Sequence, residues 1–139
     1  MTKKNILFVC KFNRFRSKVA EAYFKKINKN KNFNVKSAGL IKGSPLSPFQ
    51  KGVAREMGIS ISGPTRGLST KLFIWQDITI IVANDVPVSI FCGSRFDGKK
   101  IIRWKIPDVF NEDKNDTKKV ISAIMENTQF LIKQLEKAK

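Results

Sequence analysis

The chain has 139 residues, 42% of them hydrophobic and 27% charged, enough for one domain with its own core and too few for two ordinary ones. It has no histidine and two cysteines, Cys10 and Cys92, which excludes His-based triads, the usual zinc sites and a disulfide framework, and leaves a cysteine nucleophile as the main catalytic option. The 27 Lys and Arg against 11 Asp and Glu give a net charge of +16, but the lysines scatter over every segment and no aromatics interleave with them as a stacking platform requires, so nucleic acid is not expected as a partner.

Residues 5–9 are a short apolar run without alternation, the pattern of a central parallel strand covered on both faces. Residues 10–17 follow as CKFNRFRS. After them Val19, Ala20, Tyr23, Phe24 and Ile27 recur at helical spacing, with Lys18, Lys25 and Lys26 available for the outside. The stretch therefore reads as strand, polar loop and helix. In a C-x5-R-S loop at such a junction, successive backbone N–H groups can turn inward as an anion nest, and a dianionic phosphoryl group fits it. Arg16, the helix dipole and those N–H groups all favour the thiolate of Cys10, the nucleophilic form.

Residues 28–32 are a polar turn, and residues 33–37 a brief second strand leading into Gly39. Ser47-Pro48-Phe49-Gln50 carries a helix-start signature: Ser at the N-cap, Pro at the first helical position, and Gln where a capping box has its return partner. Phe49, Val53, Ala54 and Met57 form that helix's apolar stripe, and Gly58 is its left-handed stop. Ser69 is the expected cap of a short helix through Leu72 to Trp75. Residues 78–83 are a third apolar run, delivering Asn84 and Asp85 to the same sheet edge as Cys10. Residues 86–98 read mostly as loop with a turn of helix at 87–91, residues 101–106 as a fourth strand, and residues 107–115 as loop. From Asp116, Val120, Ile121, Ile124, Met125, Leu131, Ile132 and Leu135 outline a long last helix. Strands alternating with helices predict one α/β domain over residues 1–139, a parallel sheet with right-handed crossovers and its ligand at the C-terminal strand ends. Cys10 and Asp108 both lie at such ends.

Four stretches resemble one family, the low-molecular-weight protein tyrosine phosphatases and their arsenate reductase relatives. Beside the C-x5-R-S loop, Ser37-Ala38-Gly39 is similar to the family's SAG segment and Met57-Gly58-Ile59-Ser60-Ile61 to its GIDIS stretch. Trp104-Lys105-Ile106-Pro107-Asp108 resembles the strand that ends at its general acid. The resemblance covers almost the whole chain and implies a doubly wound, four-stranded parallel sheet in the order 2-1-3-4, flanked by helices on both faces. It also implies roles: Cys10 as nucleophile, Arg16 as bidentate clamp on the phosphate, Ser17 as donor to the sulfur, and Asp108 as acid and then base. Asn13 would tie the loop together in left-handed backbone, and Lys11, Phe12, Arg14 and Phe15 complete the phosphate-binding loop. No cofactor and no metal is implied, and Asp85 is the fallback for the acid.

Several residues depart from the family's usual pattern. Phe12 stands where a glycine is common, with room to point away from the phosphate, and Phe15 stands where a second cysteine would allow a vicinal disulfide. Val109 replaces a proline after the acid, and Phe110 replaces a tyrosine, keeping an aromatic pocket rim without the phenol. The connection over residues 86–98 is short. Lys11 and Arg14 would either line the pocket mouth, favouring acidic phosphosubstrates, or stand as solvated charge.

The expected function is therefore a metal-independent phosphomonoester hydrolase, acting most plainly on phosphotyrosine through a phosphocysteine on Cys10. An arsenate reductase is the alternative, because arsenate fits the same nest; only Cys92 could assist Cys10, so that chemistry needs an external thiol. A phosphate-binding protein with weak turnover is a third reading, motivated by Phe12, Val109 and the charge. Partners would be a phosphorylated substrate or an inorganic oxyanion. With neither a signal-like segment nor an apolar run of membrane-spanning length, the expected location is cytoplasmic, where a thiolate stays reduced.

Overall fold

The computed structural model of the protein describes residues 3–109 and 111–137. Four strands, β1 (Lys4–Cys10), β2 (Phe33–Gly39), β3 (Ile78–Val82) and β4 (Lys100–Trp104), pair in parallel in the order β2-β1-β3-β4. The chain leaves β1 for β2 on one side and returns to β3 on the other, so strand order reverses at β1. Cys10, paired with Gly39, closes that strand at the switch point.

The solid apolar runs of β1 and β3 are explained by cover on both faces. Ile6, Phe8, Ile80 and Val82 pack with Val19 and Phe24 of α1 (Arg16–Ile27), Val53 of α2 (Pro48–Glu56), and Ile121 and Ile124 of α4 (Lys114–Lys137). On the other face Leu7, Val9, Ile81 and Ala83 meet Leu72 of α3 (Thr70–Trp75) together with Phe91 and Phe96. Those two phenylalanines belong to two short 3-10 turns, Val88–Phe91 and Ser94–Phe96. With Phe73 they stack edge-on at 5.4 to 6.0 Å between ring centres. Each aliphatic or Phe side chain taken fully out of water contributes about 1.5–3 kcal/mol, so this two-faced burial holds β1 and the loop that follows it in place.

Local signals act as read from the sequence. The hydroxyl of Ser47 accepts from the Gln50 N–H and that of Ser69 from the Leu72 N–H, while Gly58 has a φ of 82°. Long-range packing changes other readings. The side chain of Gln50 does not close the capping box; it crosses to another element. Lys18, expected on the outside, is 6% exposed, because the first turn of α1 lies beneath residues 62–64. β4 ends at Trp104 and not at residue 106, since the Ile106 N–H turns back onto the Trp104 carbonyl at 2.8 Å. Residues 86–98 hold a second 3-10 turn beyond the one expected. α4 begins at Lys114, with the Asp113 carboxylate accepting from the Asp116 N–H. No helix among the described residues is long and apolar enough to cross a membrane.

Candidate active site

Residues 10–15 leave β1 against the segment that follows β2. The carbonyls of Cys10, Lys11 and Phe12 accept the N–H groups of Leu40, Ile41 and Gly43 at 3.0, 3.2 and 3.1 Å. In a planar trans peptide the N–H points opposite to the C=O, so the N–H groups of Lys11, Phe12 and Asn13 turn away from that segment, to the inside of the loop. Asn13 is the one described non-glycine residue with positive φ, 56°, and this reversal of hand curls the loop into a nest. Its side chain ties the curl: Nδ2 donates to the hydroxyls of Ser17 at 2.8 Å and Ser37 at 3.0 Å, and Oδ1 accepts from the Arg66 N–H at 2.9 Å. Ser37 in turn donates to Glu21. Gly39 permits the approach, because a Cβ there would lie 2.6 Å from the Asn13 nitrogen and the Phe12 carbonyl carbon.

Inside this curl the Cys10 sulfur lies 3.0 Å from the Ser17 hydroxyl. Asn13 donates to that oxygen, which leaves the serine's own hydrogen available to the sulfur. Arg16, 2% exposed, donates through Nη1 to the Ile106 carbonyl at 3.0 Å. Its Nη2 lies 3.1 Å from Asp85 Oδ1 and 3.6 Å from Asp108 Oδ2. Asp85, the fallback acid, is thus a direct partner of the guanidinium, placed to orient it. Lys18 caps the carbonyls of Pro64 at 2.9 Å and Ser62 at 3.4 Å. Burial pushes its ammonium below its ordinary 10.5, with nearby Glu21 opposing the shift.

A cavity of about 200 Å³ opens above Cys10. Phe12, Arg14, Phe15 and Arg16 line one side, and Gln50, Asp108, Val109 and Glu112 the other. The loop residues, Arg16, Ser17 and Asp108 are therefore brought together as read from the sequence. Others are placed differently. Phe12 is among the residues that line the cavity. Lys11 is not among the lining residues, and its ammonium lies 5.3 Å over the Phe12 ring. Arg14 lines the mouth, but its guanidinium is held by the carbonyls of Ser44 and Pro45 at 3.0 and 3.1 Å. The expected rim residue Phe110 lies outside the described residues. Cys92 is exposed and unbridged. Gln50, Glu112 and the buried Lys18 were not singled out for the site; the one signal at Gln50 was its capping position, which concealed its other use. Among the described residues no three His, Cys, Asp or Glu side chains group as a metal site requires.

The sequence profile described as low molecular weight phosphotyrosine protein phosphatase matches residues 5–139. Arsenate reductase from Staphylococcus aureus (strain Newman) is 33% identical over 109 residues, covering 78% of this chain and 80% of that one. Arsenate reductase 1 from Staphylococcus epidermidis is 37% identical over 86 residues, 61% of this chain and 64% of its own length. Among solved structures, a protein tyrosine phosphatase from Entamoeba histolytica superposes with a TM-score of 0.87 at 22% identity, covering 98% of this chain and 99% of that one. The YwlE arginine phosphatase from Geobacillus stearothermophilus gives 0.82 at 22% identity, covering 97% and 94%.

Proposed function

Since the chain belongs to the low molecular weight phosphotyrosine protein phosphatase family, we propose that it hydrolyses phosphomonoesters, with aryl phosphates such as phosphotyrosine as its substrate class. The observation that carries this reading is the convergence of the Cys10 sulfur, the Arg16 guanidinium and the Asp108 carboxylate on one cavity. Phe12 and Val109 give that cavity apolar walls, between which an aromatic ring finds contact.

The phosphoryl oxygens take the inward N–H groups of the loop and the Arg16 fork, which neutralises charge on the equatorial oxygens in the transition state. The Cys10 thiolate attacks phosphorus in line. The S–P bond forms as the ester P–O bond breaks, and Asp108 delivers its proton to the departing oxygen. Asp108, now a carboxylate, takes a proton from water as that water attacks the phosphocysteine. The S–P bond then breaks, and the Ser17 hydroxyl stabilises the departing thiolate.

The test is hydrolysis of an activated aryl phosphate in the presence of a metal chelator, wild type against Cys10→Ser. Chelator-resistant turnover that disappears in the variant is expected. Loss of that expectation in a folded wild type overturns the reading, and phosphate binding without turnover would favour the weakly active binding protein.

The names of the curated relatives favour a second reading, arsenate reduction. Here Cys10 bonds to As(V) with loss of water. An external thiol then attacks its sulfur, the S–As electron pair passes to arsenic, and arsenite leaves with a mixed disulfide on Cys10. A second external thiol frees the enzyme. Arsenate-dependent oxidation of a thiol coupling system, absent in Cys10→Ser, distinguishes this from hydrolysis.

A further inference from the structure

The second wall of the cavity rests on a contact that belongs to this chain's own residues. Gln50 lies in the first turn of α2 and is 8% exposed, a long polar side chain almost wholly out of water. Its backbone N–H is already used by the Ser47 cap. The side-chain amide leaves its own helix, and Nε2 donates to the carbonyl of Val109 at 3.2 Å, 59 residues on. The N–H of the same Val109 donates to Asp108 Oδ1 at 2.9 Å. Both backbone polar groups of Val109 are thus engaged, and its side chain packs against the main apolar cluster.

The consequence falls on Asp108. With Oδ1 committed to the Val109 amide, rotation of the carboxyl is restrained, and Oδ2, 3.6 Å from Arg16, is the oxygen turned to the cavity. A proline at 109 could not make that bond, having no N–H. We propose that Gln50 is a positioning residue for proton delivery: by holding the Val109 carbonyl it fixes the Val109 N–H on Oδ1, and so presents Oδ2 to the leaving oxygen. This rests on the reading of Asp108 as general acid. Gln50 itself transfers nothing; it removes the loop's freedom to carry the acid away from the reacting oxygen.

The experiment compares kcat/KM for p-nitrophenyl phosphate, a good leaving group, with that for phenyl phosphate, a poor one, in wild type, Gln50→Ala, Asp108→Asn and the double variant. kcat/KM reports the step in which the ester bond breaks. Gln50→Ala is expected to lower the phenyl phosphate value roughly three- to tenfold and the p-nitrophenyl value less than about twofold, a fraction of what losing a general acid costs. Asp108→Asn should lower the phenyl value far more, and adding Gln50→Ala to it should change nothing further. Amide hydrogen exchange at Val109 should quicken in Gln50→Ala while that of residues 11–13 stays unchanged.

Equal losses on both substrates, further loss in the double variant, or faster exchange without any rate effect would each overturn the role of Gln50 and leave Asp108 as the acid. If Asp108→Asn itself shows no preference for the good leaving group, or the wild type hydrolyses neither ester, the reading of Asp108 falls and the proposal with it. Gln50→Glu, of the same shape but lacking the donor when ionised, should reproduce the leaving-group pattern of Gln50→Ala. A wild-type pattern in that variant would overturn the role.

Discussion

The two walls of the cavity are built differently. On the side of residues 10–17, three loop carbonyls are paired to residues 40–43, Asn13 makes three side-chain hydrogen bonds, and Gly39 leaves no spare room. On the side of residues 107–112 the described hold is lighter: Gln50 donates to the Val109 carbonyl, the Val109 N–H to Asp108 and the Asp113 N–H to Asn111, Asp108 lies 3.6 Å from Arg16, and Val109 packs on the core. The anion must be gripped in every step of either proposed reaction, so its cradle is held from several directions. A proton donor must change charge state and role between steps, and a lighter hold suffices for it. Disturbing the first wall should therefore weaken all substrates alike, and disturbing the second should separate good leaving groups from poor ones.

The largest expected effect is that of Arg16→Lys. The charge survives, but the fork that reaches Ile106, Asp85 and a phosphate at once does not. Steady-state kinetics should give a loss in kcat/KM of roughly 10²–10³-fold, as for removal of one preorganised donor, equal for p-nitrophenyl and phenyl phosphate. A loss confined to the poor leaving group would break the division between the walls.

Gly39→Ala comes next. Its methyl would sit 2.6 Å from backbone atoms of Phe12 and Asn13, which no side-chain rotation relieves. Urea denaturation should show about 1–3 kcal/mol of destabilisation, the usual cost of overpacking. Phosphate binding should weaken with unchanged leaving-group dependence.

Lys18→Met should have the smallest effect, and it sharpens the comparison by pH. Burial depresses the folded-state pKa of Lys18 below 10.5, so between the two values the unfolded chain binds more protons than the folded one. The stability this group contributes rises as pH climbs through the depressed value, is complete above the unfolded value, and is lost again as pH falls. The difference in unfolding free energy between wild type and variant should rise in that direction in urea titrations run from neutrality to pH 10.5. A flat difference would detach Lys18 from the support of residues 62–66.

What was legible in the sequence was what is settled within a few residues. The strand, loop and helix around Cys10 follow from an apolar run and a helical period, and the caps at Ser47 and Ser69 from neighbours three positions on; the positive φ of Asn13 came from its likeness to the family's loop asparagine. The strand order came by resemblance and not from periodicity. What escaped depends on partners far along the chain. Gln50 answers to Val109, Arg16 to Asp85, and Lys18 to carbonyls 44 and 46 residues away. Nothing in the immediate neighbourhood of a lysine on the first turn of a helix says that a loop will close over it.

The pairing of residues 10–12 with residues 40–43 requires β1 and β2 to lie side by side first. A partly folded chain in which those strands have not met has no receptor for an oxyanion at all. On the proposed reading an oxyanion ligand is thus also a counterweight to unfolding: at a hundredfold excess over its dissociation constant it adds about 2.7 kcal/mol by mass action. If phosphate is that ligand, its level in the surroundings raises this protein's resistance to proteases along with the occupancy of its pocket.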